Sequence, residues 1–160
     1  MKNMLPLTCR ILAVIITLVL ANLAHSIELR WLTIADAAVS PAQYIDVGET
    51  GRSLGDKYMF DQPLRNANGD IIGTNAGQCT RIKLQASLQC QWTLRVPQGA
   101  ITVAGEEFEK GESILDIING EGIYSGISGS MRSFKNRNGS FTQILDFTLP
   151  FPPLDIASWK

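Results

Sequence analysis

The sequence predicts an all-β fold, either a sandwich or a closed barrel. Helical periodicity is hard to find between residues 43 and 149, where most windows are short runs rich in β-branched and aromatic residues. Gly, Asn, Asp and Pro punctuate these runs, and Asn68-Gly69 and Asn138-Gly139 are strong hairpin-turn signals. The result is about eight strands joined by short turns, a spacing typical of all-β domains.

The N-terminal part of this region contains three predicted elements. Residues 27–39 (IELRWLTIADAAV) form either a strand or a short helix, and residues 42–56 start like a strand and then contain three glycines. Asp56 ends that segment in a Gly-Asp pair, where we expect a turn or cap role. Residues 57–64 (KYMFDQPL) are extended, and Pro63 indicates an edge strand or a bulge.

Two alternating strands, residues 79–85 and 90–96, are separated by a few residues and form a predicted hairpin. Each strand gathers its most apolar side chains on one face. These are Thr80, Ile82 and Leu84 in the first strand, and Cys90, Trp92, Leu94 and Val96 in the second. In the first strand, Arg81, Lys83 and Gln85 occupy the other face.

The second half continues with strands and turns. Residues 100–105 form a strand, Glu106 to Gly111 an acidic connection, and residues 113–118 (SILDII) another strand. Residues 123–134 look like a strand interrupted by glycine. Residues 141–151 form the last strong strand, which prolines stop.

The glycine-rich segment that follows residues 113–118 has the spacing G-x-G-x-x-x-G, with which a nucleotide-binding βαβ unit often begins. Such a unit needs a helix after the glycines to hold the pyrophosphate. Residues 127–140 contain another glycine, several serines and an Asn-Gly turn, which argue against a helix. We therefore predict two barrel or sandwich strands with glycines at their junction, where bulges and close backbone approach are needed.

Residues 1–26 have the pattern of a secretory signal peptide. Lys2 and Arg10 precede an apolar run at residues 11–21, and Ala24-His25-Ser26 supplies a small-x-small end. The alternative is a membrane anchor, but a span needs about 20 apolar residues and this run is shorter. We predict cleavage near Ser26, a secreted or periplasmic protein and a single domain at residues 27–160 with no membrane segment.

Cys79 and Cys90 are the two cysteines that remain after this cleavage. They fall on adjacent antiparallel strands, and paired cysteines of exported proteins usually form disulfides. The alternative is a reactive thiol. Simple alternation places Cys79 on the charged face of its strand and Cys90 on the apolar face of the next, which a bulge or an exposed rim would reconcile.

Composition excludes several kinds of function. The formal net charge is −1 and the chain has no Lys/Arg run after the leader, which argues against a nucleic-acid partner. The only histidine is His25, at the predicted cleavage site, so Ser-His-Asp and Cys-His catalysis and histidine metal sites are excluded. Proton transfer must use Asp, Glu, Tyr, Lys or water.

An ordered set of motifs resembles the bacterial allene oxide cyclase barrel-like, or dirigent-like, proteins. The motifs are IDVGETGRSLGDKYMFDQPL, IIGTNAGQC with the later Cys90, TLRVPQGAITVAG and GEGIYSGISG, and together they span about Tyr44 to Leu149. The chain departs from the family pattern at residues 118–122, and at residues 106–109, where Glu-Glu-Phe-Glu replaces a Tyr-rich stretch. These departures argue against plant-type allene oxide cyclase activity.

The resemblance implies an eight-stranded antiparallel closed β-barrel of calycin-like form with an apolar central cavity. It also implies a small apolar molecule as partner, whose cyclisation or isomerisation the cavity steers by restricting its conformers. This chemistry needs no cofactor and no metal. A homo-oligomer is one assembly that the sequence allows.

Candidate site residues are polar or aromatic groups within the apolar strands. Asp116 and Asp146 could act as acid or base if buried, and Tyr124 could join them as a catalytic group. Trp92 could bind and orient a ligand, and Arg132 could hold an anionic one. The alternatives are solvent-facing carboxylates, core aromatics and a surface arginine.

Three functions are therefore open. They are a cyclase or isomerase-like steering protein, a non-catalytic binding protein that uses the same cavity, and a structural module whose barrel is filled with side chains. A cavity of about 300 Å³ or more favours the first two, and a packed interior excludes both. A buried carboxylate that faces the cavity favours the first.

Overall fold

A computed structural model of the protein describes residues 25–151, without the side chains of the two end residues. The predicted signal peptide up to residue 24, and the C-terminal tail from residue 152, lie outside the described residues. Within residues 25–151 the regular structure consists of nine strands and no helix. The strands are β1 (His25–Ala35), β2 (Gln43–Ile45), β3 (Lys57–Arg65), β4 (Ile71–Lys83), β5 (Ser87–Val96), β6 (Gly99–Phe108), β7 (Glu112–Gly122), β8 (Ser128–Lys135) and β9 (Phe141–Phe151).

Eight of these strands form a closed antiparallel ring. The order is β1-β9-β8-β7-β6-β5-β4-β3, and β3 pairs back with β1 through Ala35 opposite Leu64 and Ile34 opposite Arg65. The short β2 adds to the opposite end of β3, where Gln43 faces Met59. The all-β prediction and the eight-stranded antiparallel barrel are confirmed. The sandwich is excluded, and the ambiguous N-terminal segment starts as a strand.

Large apolar side chains fill one part of the barrel interior. We call the end where β4, β6 and β8 finish the mouth, and the opposite end the base. Seven large apolar side chains of the core are at most 1% exposed: Leu64, Leu94, Ile101, Val103, Leu115, Met131 and Leu145. At the base, Tyr124 stacks on Trp31 with ring centroids 6.1 Å apart and meets Phe147 edge-on.

The predicted hairpin of β4 and β5 exists, but the faces of β4 are reversed. Cys79 lies directly opposite Cys90, and the two form a disulfide. Because Cys79 faces the interior, alternation also turns Arg81 inward, where it is 2% exposed, and turns Ile82 outward. The register shifts between Arg81 and Lys83. The predicted alternation of β5 is confirmed, with Cys90, Trp92 and Leu94 buried.

The glycine-rich segment joins β7 to β8 as predicted. β7 continues through Gly120 to Gly122, a turn follows, and β8 begins at Ser128. A Cβ on Gly120 would lie 2.0 Å from the carbonyl oxygen of Tyr124, and Gly122 has a φ of +65°. Glycine is needed here for close backbone approach and a left-handed conformation, so the segment serves the barrel's turn at the base.

We expect the disulfide to stabilise the folded protein. It joins residues 11 positions apart in the sequence, and a cross-link of that length contributes roughly 2–3 kcal/mol by restricting the unfolded chain. The double variant Cys79→Ala/Cys90→Ala should therefore unfold at a lower urea concentration than wild type. A reducing agent should lower the midpoint of wild type and leave that of the double variant unchanged. Equal midpoints for oxidised and reduced wild type would contradict a stabilising bridge.

Candidate functional site

A cavity of about 500 Å³ opens at the mouth of the barrel. Its apolar wall is mainly aromatic and consists of Tyr58, Phe60, Leu88, Trp92 and Phe141. The polar groups that line it include Gln62, Asn75, Arg81, Glu107, Ser133 and Gln143. This size and this mixture of an apolar wall with a few polar groups are typical of small-molecule sites.

The aromatic wall depends on a glycine in the neighbouring strand. Gly77 on β4 lies opposite Trp92 on β5. A Cβ at Gly77 would lie 2.3 Å from both the Gln91 carbonyl oxygen and the Trp92 Cβ, so any larger residue would push the two strands apart. Phe60 meets the Trp92 ring edge-on at a centroid distance of 6.0 Å. Strand pairing therefore sets the position of both rings.

A buried polar chain crosses the interior beside the cavity. Thr33 Oγ1 donates to Gln143 Oε1 at 3.1 Å, and Gln143 Nε2 donates to Asn75 Oδ1 at 3.1 Å. All three side chains are at most 2% exposed. Buried groups that satisfy one another hold fixed orientations, so this chain gives the cavity a rigid polar wall.

Glu107 is the buried carboxylate that lines this cavity. It is 8% exposed, Ser133 Oγ donates to its Oε1 at 3.0 Å, and its Oε2 has no partner among the described residues. Burial raises the pKa of Glu107 to about 7, although hydrogen bonds from Ser133 and Ser113 act in the opposite direction. A carboxyl group that titrates near neutrality can both accept and donate a proton.

The sequence prediction of an acidic connection at residues 106–111 was wrong at this position. β6 continues to Phe108, and Glu107 lies opposite Leu88 of β5. The alternation of Ile101, Val103 and Gly105, extended by one more step, would have placed Glu107 on the inner face. The cluster of acidic residues hid that signal, because charged runs usually mark exposed loops.

Arg81 is the buried cation of the cavity wall. Its Nη1 donates to Glu109 at 2.6 Å and its Nη2 to the Tyr58 hydroxyl at 2.7 Å. Its Nε has no partner among the described residues. The ion pair with Glu109 compensates the charge of Arg81 and holds the guanidinium in place, and its Nε–H is buried and unpaired within residues 25–151.

The loop between β2 and β3 is fixed to the mouth by Asp56. The carboxylate of Asp56 accepts from the Val47 and Ser53 amides, the Ser53 hydroxyl and the Tyr44 hydroxyl. Burial alone would raise its pKa, but these hydrogen bonds prevail and lower the pKa to about 2. The backbone of Asp56 accepts from the Arg81 amide at 2.8 Å. Asp56 is thus the predicted turn residue, and its loop brings Arg52 to the cavity.

Two of the predicted catalytic residues do not reach the cavity. Asp116 is exposed on β7. Asp146 lies on the outer face of β9, where it pairs with Arg30 and with Arg132, the latter at 3.3 Å. The hydrogen bond from Arg30, more than any other contact, lowers the pKa of Asp146. Both lie on the outer face of the barrel wall, so the condition that they be buried is not met and the alternative of solvent-facing carboxylates applies.

The other predicted residues lie in different parts of the barrel. Arg132 shares the outer face with Asp146, away from the cavity. Tyr124 is at the base, where burial raises its pKa, and it does not line the cavity. Trp92 lines the cavity, as a ligand-binding residue must, and so does Cys79 of the disulfide.

The described residues contain neither a metal-ion cluster nor a membrane-spanning helix. No group of three or more His, Cys, Asp or Glu side chains within residues 25–151 is arranged to hold a metal ion. The described part of the chain also has no helix that is long and apolar enough to cross a membrane.

The fold is shared with solved structures of low sequence identity. No protein-family model and no curated protein matches the sequence. A pyocyanin demethylase matches with a TM-score of 0.62 and 17% identity over 76% of this chain and 99% of its own. A Diels-Alderase from Streptomyces koyangensis matches with a TM-score of 0.60 and 17% identity over 94% of this chain and 84% of its own. A pterocarpan synthase dirigent protein matches with a TM-score of 0.58 and 14% identity over 78% of this chain and 94% of its own. The fold is that of the dirigent and cyclase barrels.

The raised pKa of Glu107 should make stability depend on pH. The folded protein holds this proton up to a pKa of about 7, whereas the unfolded chain releases it near 4.5. The stabilising contribution of Glu107 to the free energy of unfolding is therefore complete below pH 4.5. It falls by roughly 3 kcal/mol as the pH rises to 7. Glu107→Gln should remove this loss and be more stable than wild type at pH 8 in urea unfolding. The exposed Glu112→Gln is the control, and a wild-type decline equal to that of Glu107→Gln would contradict the assignment.

We expect Asp56 to stabilise the loop between β2 and β3 rather than the barrel itself. Asp56→Asn replaces one acceptor oxygen by a donor, which leaves amides of the loop without their partner. We expect faster hydrogen exchange at the Val47 and Ser53 amides, with unchanged exchange in β5 and β6. The exposed Asp70→Asn is the matched control. Uniformly faster exchange throughout the ring would show instead that Asp56 supports the whole fold.

Proposed function

We propose that the protein binds a small apolar molecule in the mouth cavity and steers its cyclisation or isomerisation. The observation that carries this proposal is the cavity of about 500 Å³ with an aromatic wall and a few converging polar groups. Barrels of the same fold include a Diels-Alderase and a pterocarpan synthase dirigent protein. The activities stated in these names support a cyclisation or isomerisation reaction for this chain.

The geometry supports steering by restriction of the ligand's conformers. Phe60 and Trp92 meet edge-on and leave a shaped apolar surface, against which a flexible chain or ring system can adopt few conformations. The fixed Gln143 and Asn75 side chains on another wall offer polar contacts in set directions. Holding reacting atoms close together and away from water removes much of the entropic barrier to ring closure.

The structure favours a catalytic role over the two alternatives left open by the sequence. A barrel completely filled with side chains would leave no cavity of this size. A simple carrier for apolar molecules has no need of a buried carboxyl group, whose burial is unfavourable. Glu107 lies in the cavity wall with a free oxygen, which supports a steering protein that also exchanges protons.

We also propose that the protein acts outside the cytoplasm. The Cys79–Cys90 disulfide supports this location, since such bridges persist in oxidising compartments. Cleavage of the predicted leader after Ser26 would leave residues 27–35 of β1 in the mature chain. N-terminal sequencing of the exported protein from its own host tests this proposal, and an intact N-terminus at Met1 would contradict it.

The binding proposal is tested by closing the mouth. Ala42 is exposed and lines the cavity. Ala38 is exposed on the same loop between β1 and β2 and does not line the cavity. Ala42→Phe should weaken binding of the neutral fluorescent probe N-phenyl-1-naphthylamine by about tenfold, or 1.4 kcal/mol. Ala38→Phe should bind like wild type. Equal affinities for both variants, or no binding by wild type, would contradict a ligand site at the mouth.

Native mass spectrometry of the protein purified from its own host addresses the natural ligand. We expect a co-purifying small molecule on wild type and on Ala38→Phe, and its loss from Ala42→Phe. If all three proteins carried the same co-purifying molecule, that molecule would bind outside the mouth cavity.

A further inference from the structure

The cavity wall contains three buried polar atoms that have no hydrogen-bond partner among the described residues. They are Trp92 Nε1, Arg81 Nε and Glu107 Oε2. All three residues line the cavity. Buried polar groups without partners are rare in folded proteins, because each costs free energy to desolvate. Their grouping in the wall of one cavity points to a bound ligand that pairs with Arg81 and Glu107.

Two of these residues lie at the same level of the barrel. Arg81 faces Leu88 across the β4–β5 pair, and Leu88 faces Glu107 across the β5–β6 pair. Neighbouring strands are about 4.8 Å apart, so the backbones of Arg81 and Glu107 are separated by about 10 Å. Both side chains point inward from these positions and line the cavity, so one small ligand can contact both. Trp92 lies deeper, where its ring contacts the apolar body of such a ligand.

No charged side chain of the described residues is hydrogen-bonded to Glu107, so a bound ligand is the group with which it can exchange a proton. Leu88 faces Glu107 from β5, and Ser113 of β7 and Ser133 of β8 donate to it, so the described side chains in contact with it carry no charge. The other ionisable groups that line the cavity are Arg52, Tyr58, Arg81, Glu109 and Lys135. None of these side chains is bonded to Glu107, and the Arg81 charge is compensated by Glu109.

We propose that the ligand is an enolisable carbonyl compound with an apolar ring or polyene body, and that Glu107 exchanges a proton with the carbon next to its carbonyl group. This inference rests on the proposed binding function and names its substrate class. A carbonyl oxygen is the acceptor that the free N–H of Arg81 lacks. The C–H next to the carbonyl group is weakly acidic, and the Glu107 carboxylate accepts its proton.

The proton transfer is balanced without a co-reactant. Oε2 of ionised Glu107 accepts the proton, the C–H electron pair becomes the carbon–carbon double bond of the enolate, and the carbonyl π electrons move to oxygen. The Arg81 N–H stabilises that oxygen by a charge-assisted hydrogen bond. Protonated Glu107 then returns the proton to the same carbon or to a conjugated one. The second outcome is an isomerisation.

The test uses three related probes: 1-tetralone, 2,2-dimethyl-1-tetralone, which has no exchangeable proton beside the carbonyl, and the hydrocarbon tetralin. Binding is followed by quenching of tryptophan fluorescence, and deuterium uptake by 1-tetralone in deuterated buffer is followed by NMR. Wild type should accelerate uptake beside the carbonyl about 100-fold over Glu107→Gln. The rate should rise with pH through about 7, as Glu107 ionises. Glu107→Asp should restore part of the rate, and Glu112→Gln should match wild type.

The outcomes separate this inference from the proposed function. If 1-tetralone does not bind, or binds without exchange that depends on Glu107, while tetralin binds, the carbonyl inference is wrong and the apolar cavity remains. If none of the three probes binds, both proposals are wrong. Tighter binding of both tetralones than of tetralin, together with exchange that Glu107→Gln abolishes, supports the carbonyl assignment.

Discussion

Closure of the sheet between β1 and β3 is the constraint on which the rest of the structure depends. Once Ala35 pairs with Leu64, the eight strands form one ring and every second side chain must face its interior. A shift of one residue in any strand would turn its inner side chains outward. The positions of Cys79, Arg81, Trp92 and Glu107 all follow from this alternation, so the site is a consequence of register rather than of local sequence.

The same constraint explains why the interior has a packed region at the base and an open cavity at the mouth. Toward the base, Leu94, Ile101 and Leu145 fill the ring completely and supply the apolar burial that stabilises it. Toward the mouth the inward positions carry polar as well as aromatic side chains, and the space among them is not filled. The free energy lost by leaving Glu107 buried and Arg81 partly unpartnered must be offset by the packed base and by the disulfide. A polar, incompletely packed region supported by a stable one is a common arrangement for a functional site.

Alternation, turn signals and the Asn-Gly pairs were enough to predict the strands, the hairpins and the antiparallel connections. The resemblance to the cyclase barrels supplied the ring closure, which local patterns cannot specify because sandwiches and barrels share the same local patterns. The inner face of β4 was misassigned, since Ile82 and Leu84 are apolar and Arg81 is charged. Only the pairing of Cys79 with Cys90 reverses that inference.

The candidate site was predicted in part. Trp92 lines the cavity because its strand alternates cleanly, whereas Asp116 and Asp146 were chosen for their apolar sequence neighbours, which in fact belong to the opposite face of each strand. The most direct test of the central claim is a ¹³C NMR titration of the Glu107 carboxyl group with and without N-phenyl-1-naphthylamine. We predict a pKa of about 7 that moves when the probe binds. A pKa near 4.5 that the probe leaves unchanged would contradict a functional cavity built around this residue.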